Sequence, residues 1–365
     1  MSFLKSSLFI CAFLLLQTSA DELLAFQRRN IEVLTPRSGQ RGTNVSVIMQ
    51  GLNIKDACEV LFYRPGIKAV AFETLPDLEN GISLHHGGYV KEQVRCIFEI
   101  AEDCPLGEHP LRLRTKDTLT TVATFWVGPF PIIPELERGG FEVTYSGGNT
   151  VIKENTDAII SPNDSLEMAQ PIPMNHTVAG EIKVARELDH DYYSIQAMAG
   201  ERISVELDCG RLCDKAYAES EYDLLVRILD ENGKELASCD DSDLHVQDPI
   251  LSIAASYSGK YFIHIRQQLF KGGRWIFYRA HIGNFMRPVL AYPLGGQVGT
   301  IETIQLLGDG LGTTAQQITW PNKTGDFNFY PGESDVKPPS HLPLRVCTFP
   351  NALENQIEQT HDAPV

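Results

Sequence analysis

Ser258-Gly259-Lys260-Tyr261-Phe262-Ile263-His264-Ile265-Arg266 alternates without a break. Tyr261, Ile263 and Ile265 fall on one side of an extended chain, and Phe262, His264 and Arg266 on the other. Ser258-Gly259, just ahead, marks a turn. The same period recurs upstream in Ile203, Val205 and Leu207, and again in Leu224, Val226 and Ile228. Asp230-Glu231-Asn232-Gly233 reads as a turn between two strands, since Asn and Gly tolerate positive φ. The stretch 161–284 is therefore expected to be all β. No segment beyond residue 20 keeps a helical period for long.

Working outward, an internal repeat flanks this stretch. Near the start, Val33-Leu34 leads to Gly39-Gln40-Arg41-Gly42-Thr43 and then Gly51. Near the end, Val289-Leu290 leads to Gly296-Gln297-Val298-Gly299-Thr300 and then Gly308. Arg345 and Cys347 read as an echo of Arg95 and Cys96. Within the first copy, Val45, Val47 and Met49 alternate with Asn44, Ser46, Ile48 and Gln50. Leu111 and Leu113 alternate with Arg112 and Arg114, and Val122 to Val127 follow suit. Pro36, Gly39, Gly42 and Pro65-Gly66 supply turns. The fold class expected is all-β, as tandem β-sandwiches. Residues 30–129 are expected to form a small all-β sandwich. Residues 130–160, with Pro131, Pro134, Gly139-Gly140 and Gly147-Gly148, have the composition of a linker. Residues 161–284 are expected to form a second sandwich, and 287–365 to begin a second copy of the first module. Only residues 348–365 follow Cys347, so this last module is expected to be cut short, within a longer protein or with an open sheet edge.

The first twenty residues read as a signal peptide: Lys5, an apolar run from Leu8 to Leu16, then Thr18-Ser19-Ala20 before a cut. No later stretch is long and apolar enough to span a bilayer as a helix. The expected location is secreted, periplasmic or cell surface. With 31 Lys and Arg against 47 Asp and Glu, the formal net charge is −16. Such a surface repels phosphate backbones and anionic lipid heads, which argues against nucleic acid and membrane-surface roles. Seven cysteines follow residue 20. Export permits disulfides, and one bridge is expected within 58–104 and one within 209–239. No pair has zinc spacing.

The middle stretch resembles the bacterial pre-peptidase C-terminal domain. The residues that carry the resemblance are Asn163-Asp164-Ser165, Ala169, Gly180, Ile182, Asp189-His190-Asp191-Tyr192-Tyr193, Ala199-Gly200-Glu201, Tyr222-Asp223-Leu224, Asp230-Glu231-Asn232-Gly233, Asp240-Asp241, Asp248 and Ser258-Gly259-Lys260-Tyr261-Phe262. The flanking modules resemble TIG-type immunoglobulin-like domains through Pro36, Gly39, Gly42-Thr43 and Gly51. The first resemblance implies a jelly-roll-like sandwich, a non-catalytic appendage of exported proteins that attaches substrate or localises them to a surface. In some collagenases it binds calcium and collagen. The second implies a spacer or recognition module.

Calcium takes about six to eight hard oxygens, and two acidic clusters offer them. The first joins Asn163 and Asp164 to Asp189 and Asp191, as in the calcium-binding relatives. Those relatives place two glutamates just ahead of the Asn-Asp pair, where this chain has Ile159 and Ser161, so two ligands are lost. The second is Asp240, Asp241, Asp243 and Asp248; it lacks the glycine and closing glutamate of an EF-hand, and turn-capping aspartates would explain it equally. Tyr217, Tyr222, Trp275 and Tyr278 could meet a polymer, though such residues usually fill a core.

Catalytic signatures are missing: there is no His-Glu-x-x-His, no Gly-x-Ser-x-Gly and no glycine-rich phosphate loop. His85-His86 reads as an exposed loop. Asn44, Asn163, Asn175 and Asn322 lie in Asn-x-Ser/Thr sequons, which mean little if the source is bacterial, as the resemblance implies. The function expected is non-catalytic adhesion, scaffolding or binding of an extracellular protein or polysaccharide. The alternative is the substrate-attachment region of a secreted hydrolase whose catalytic domain lies outside this chain.

Overall fold

The computed structural model describes residues 29–79, 81–83, 89–136, 142–146, 149–153, 163–182, 189–212, 223–268, 276–332 and 336–352. Residues 1–20, read as a signal peptide, and His85-His86, Ile159, Ser161, Cys213, Tyr217, Tyr222 and Trp275 lie outside them. Among the described residues, helix is limited to two short 3-10 turns, Leu166–Met168 and Gly210–Leu212. The all-β, multi-sheet architecture expected from the alternation is what forms. No helix among the described residues is long and apolar enough to cross a membrane.

The chain divides into two compact units. One gathers the residues up to Arg37 with Asn44–Glu99 and His109–Phe125; the other gathers Ser38–Thr43, Ile100–Glu108 and everything from Trp126 on. In the first unit the strands run Asn30–Thr35, Asn44–Leu52, Glu92–Ile100, Ile67–Leu75 in spatial order. Val47, Met49, Val94, Cys96 and Phe98 point inward from them and are sealed from solvent. Phe98 meets Phe125 edge to face at 5.0 Å.

In the second unit the middle sandwich stacks two five-stranded sheets. One is ordered Ile132–Pro134, His176–Ile182, Ile276–Gly283, Arg202–Asp208, Ile250–Ala254. The other is ordered Gln170–Pro171, His190–Ala197, Gly259–Gln267, Leu224–Leu229, Glu235–Cys239. Tyr261, Ile263 and Ile265 pack with Ile203, Val205, Leu207, Leu224, Val226 and Ile228 in one core, as the period-two reading requires. Within the stretch read as a linker, Ile132–Pro134 is a strand parallel to His176–Ile182, pairing Ile132 with Thr177 and Pro134 with Ala179. Proline stands there at a sheet edge, where a missing N–H costs no ladder bond.

The Gly-Gln-x-Gly-Thr turn of the last module repeats three backbone bonds of the first. In the first, Arg41 N donates to Gly128 O, Gly42 N to Ala101 O and Ile100 N to Thr43 O. In the last, Val298 N donates to Cys347 O, Gly299 N to Pro321 O and Trp320 N to Thr300 O. Thr43 Oγ1 caps Gln40 O at 2.7 Å, and Thr300 Oγ1 caps Gln297 O at 2.8 Å. Gly42 and Gly299 both need positive φ, 79° and 69°. Ser38–Gln40 runs parallel to Trp126–Gly128, and Gly295–Gln297 runs parallel to Arg345–Cys347. Cys347 therefore stands in the place of Gly128, not of Cys96. The shortening of the last module lies in its middle: Leu307 and Thr314 are joined by a six-residue loop, where the first module runs from Leu52 to Glu92 through further strands.

The bridge expected within 58–104 does not form, because Cys58 and Cys96 carry free thiols. Cys96 faces the core from its strand, and burial pushes its thiol up to about 12. Cys239 also carries a free thiol.

Candidate metal centre

Asp164, Asp189 and Asp191 converge at one rim of the middle sandwich. One oxygen from each lies within 4.8 Å of the others. Strand alternation explains the odd member. In His190–Ala197, residues 191, 193, 195 and 197 face inward, so Asp191 is carried to the core side and fully buried. Asp189 precedes the strand and stays half-exposed, while Asp164 is exposed.

Behind Asp191 lies a set of polar partners. Tyr278 donates its hydroxyl proton to Asp191 Oδ2 at 2.6 Å. Asn163 Nδ2 donates to Asp191 Oδ1 at 3.4 Å and to Glu135 Oε1 at 2.9 Å. Glu135 also accepts from the Tyr193 hydroxyl at 3.1 Å, and from the Glu181 amide at 3.0 Å. Tyr193 and Tyr278 touch hydroxyl to hydroxyl. The segment carrying Asn163 is fixed by Tyr192 N, which donates to Asn163 O at 2.7 Å. Burial, with the charges of Glu135 and Asp189 beside it, holds the Asp191 carboxyl well above the usual carboxylate range. Burial likewise raises both tyrosines, with Asp191 and Glu135 adding to it.

Gly180 makes this arrangement possible. It pairs with Tyr278 across the sheet, and a Cβ there would fall 2.3 Å from Tyr278 Cζ. The Tyr278 ring lies across that open backbone, buried rather than presented to a polymer.

The first cluster thus brings all four expected residues together: Asn163, Asp164, Asp189 and Asp191. It adds Glu135, which sequence reasoning missed. Glu135 stands in a Pro-rich stretch with no local periodicity, and a parallel strand pair leaves no short-range signal. The donor set is all hard oxygen, with no thiolate or imidazole, which suits calcium rather than zinc.

The second cluster does not converge. Asp248 is buried; its Oδ1 accepts from Cys209 N and Gly210 N at 2.8 and 2.7 Å, and its Oδ2 from Arg211 Nε at 2.7 Å. Asp240 accepts from Asp241 N at 3.0 Å and from Gln268 Nε2 at 2.7 Å. Asp241 and Asp243 are exposed. Leu244, in the same loop, packs against the core of the last module.

No family model matches the chain, and none of the curated proteins does. Solved structures similar to it include the pre-peptidase C-terminal domain of a collagenase from Bacillus anthracis. The match has 15% identity and TM-score 0.24, covering 31% of this chain and 93% of that one. Another is a periplasmic inhibitor of g-type lysozyme from Aeromonas hydrophila, with 15% identity, TM-score 0.22 and coverage of 32% and 96%. A third is SGBP-B of the Bacteroides ovatus mixed-linkage glucan utilization locus, in complex with a mixed-linkage heptasaccharide. It has 9% identity, TM-score 0.23 and coverage of 70% and 74%. At these scores the likeness carries no argument about function.

Proposed function

We propose that the chain is an exported, non-catalytic binding protein whose middle sandwich holds one calcium ion at Asp164, Asp189 and Asp191. The observation that carries this reading is the convergence of three carboxylates, one of them fully buried. Each added negative charge in such a place is costly unless protonated or met by a cation. Calcium would neutralise Asp189 and Asp191 together and tie Asp164 to them. Asn163 and Glu135 would hold Asp191 in place from behind. The signal-peptide pattern of residues 1–20 supports export. The partner is an extracellular protein or polysaccharide, met by loops that the rigid sheets hold in position.

Calcium titration followed by thermal melting tests the site. The melting temperature is expected to rise with calcium and to return with chelator, by the linkage of binding to folding. Asp189→Asn is expected to weaken the response at least about tenfold in calcium concentration, since a ligand charge is lost. Asp241→Asn should leave it unchanged. A wild-type melting temperature indifferent to calcium would retire the site, and so would an Asp189→Asn variant that responds like wild type.

A further inference from the structure

We propose that a neutral, hydroxyl-rich polysaccharide binds the outer face of the three-stranded sheet Leu290–Tyr292, Ile301–Leu307, Thr314–Thr319. This rests on the reading of the chain as an exported binding protein, though not on calcium, and it names the partner's class and the face that meets it.

Among the described residues, six sheets have three or more strands. Five of them carry an ion pair on the face turned away from the core: Arg95 with Glu73, Arg114 with Glu59, Arg279 with Asp208, Arg227 with Glu235, and Arg345 with Asp326. The sixth is this one. Ala291, Ile304, Leu306 and Ile318 point inward from it and fill the core of the last module. Alternation turns residues 290 and 292, then 301, 303, 305 and 307, then 315, 317 and 319 outward. All but Leu307 are exposed, and none is charged.

The repeat shows that this place in the fold accepts charge. In the first module Asn44 pairs with Glu99 and Ile48 with Arg95; in the last, Ile301 pairs with Thr319 and Gln305 with Ala315. Counted from the shared threonine, Thr43 or Thr300, Thr319 stands where the first module has Glu99, and Ala315 where it has Arg95. On a chain of net charge −16, both charges are gone from this one face.

What remains there selects the partner. Thr303, Gln305, Gln317 and Thr319 offer hydroxyls and amides that both donate and accept. Tyr292, 46% exposed, lies beside Gln305 across the strand pair and adds an aromatic face, with Leu290 and Ile301 exposed near it. A neutral sugar ring matches both surfaces, with hydroxyls round its rim, C–H groups on its faces and no charge to desolvate. An anionic polymer would find no Arg or Lys on this face, and a cationic one no carboxylate. A protein partner is ordinarily anchored by Trp, Arg or Met as well as Tyr, and only the single Tyr is present. The seven residues of Ile301–Leu307 extend about 20 Å, which suits a polymer better than one sugar.

Co-sedimentation of the purified chain with insoluble cellulose, chitin and starch granules, in excess chelator, tests this. Retention is expected on at least one of the three, and it should persist in about 1 M salt, where attraction between exposed charges is screened. Tyr292→Ala and Gln305→Ala alter exposed side chains, so both should melt as wild type does, and each should weaken retention at least about tenfold. Asn328→Ala, on the outer face of the module's other sheet, should leave it unchanged. No retention on any of the three polymers overturns the proposal. So does retention that salt abolishes, binding by Tyr292→Ala and Gln305→Ala as tight as wild type, or equal weakening by Asn328→Ala. Because retention is read in chelator and the calcium site by melting temperature, failure of either leaves the other standing.

Discussion

Asp191 is a carboxylate that strand alternation forces inward, and its neighbours are arranged around that fact. An inward Asp without partners would cost several kcal/mol. Here Tyr278 donates to it, and Gly180 leaves room for the ring that does so. Gly180→Ala tests the dependence. The added methyl must displace Tyr278, an overpacking change that costs about 1–3 kcal/mol, and the rise in melting temperature proposed for calcium should shrink with it. Denaturant unfolding with and without calcium measures both; a variant as stable and as responsive as wild type would show that the ring's position is immaterial. Asp189, Asp191 and Gly180 were legible in the sequence because they sit in short motifs at fixed spacing. Glu135 was not. It reaches Asn163 from 28 positions away, through a parallel pairing that leaves no trace in local composition.

Elements were legible where two copies could be compared. The Gly-Gln-x-Gly-Thr segments predict matching turns, and each turn closes with the same threonine cap. Comparison failed at Arg345 and Cys347, because the loop from Leu307 to Thr314 removes the strands that would have set the spacing. Alternation also identifies the outer face of His190–Ala197 and Gly259–Gln267, but it does not show that this face is covered. Tyr192 stacks on His264 at 4.3 Å, and His190 Nδ1 meets His264 Nε2 at 2.8 Å. Burial, with His190, Arg227 and Arg266 nearby, pushes His264 down to about 3, and burial with the same arginines lowers His190. A histidine whose folded pKa lies below the unfolded value near 6.5 binds its proton first in the unfolded chain. Stability should therefore fall as pH drops from about 6.5 toward 3, by about 1.4 kcal/mol per pH unit for His264 alone. Asp191 works the other way: its raised pKa adds stability as pH falls toward the unfolded carboxylate value. The informative quantity is thus the difference between wild type and His264→Gln, measured by urea unfolding between pH 7 and about 4. The variant should lose the His264 part of the slope. Parallel pH profiles would mean that the imidazole is not held neutral.

At the scale of the molecule, a sheet face that alternation alone would leave to solvent is covered. Glu206 and Asp208 alternate outward from Ile203, Val205 and Leu207, where a sequence reading puts solvent; both are buried. What covers and neutralises them comes from nearby Arg211 and from distant parts of the second unit. Arg287, at the start of the last module, meets Glu206 at 2.7 Å, and Arg211 meets it at 3.3 Å. Arg279 and Arg211 hold Asp208, and the Arg279 guanidinium lies over Trp126, 4.8 Å from its ring centre. Burial pushes Glu206 upward, but the Arg287 and Arg211 charges outweigh it and hold the carboxyl below the usual range. Arg202 reaches Asp309 at 2.8 Å, and His245 reaches Ser340 at 2.8 Å. Middle sandwich and last module are thus joined by ion pairs that neither completes alone, and they should unfold in one transition. Arg287→Leu strands Glu206 without its principal partner, at an expected cost of about 3–5 kcal/mol. Arg345→Leu breaks the solvated pair with Asp326, whose side chains are 78% and 90% exposed, and should cost no more than about 1 kcal/mol. Calorimetry of the two variants separates the cases: Arg287→Leu should lower or split the transition, whereas Arg345→Leu should leave it nearly in place. The double change Arg287→Met with Glu206→Leu should recover much of the loss, because an apolar pair removes the stranded charge. If Arg287→Leu melts as Arg345→Leu does, the buried ions are passengers, and apolar packing through Leu244 and Met286 joins the two modules instead.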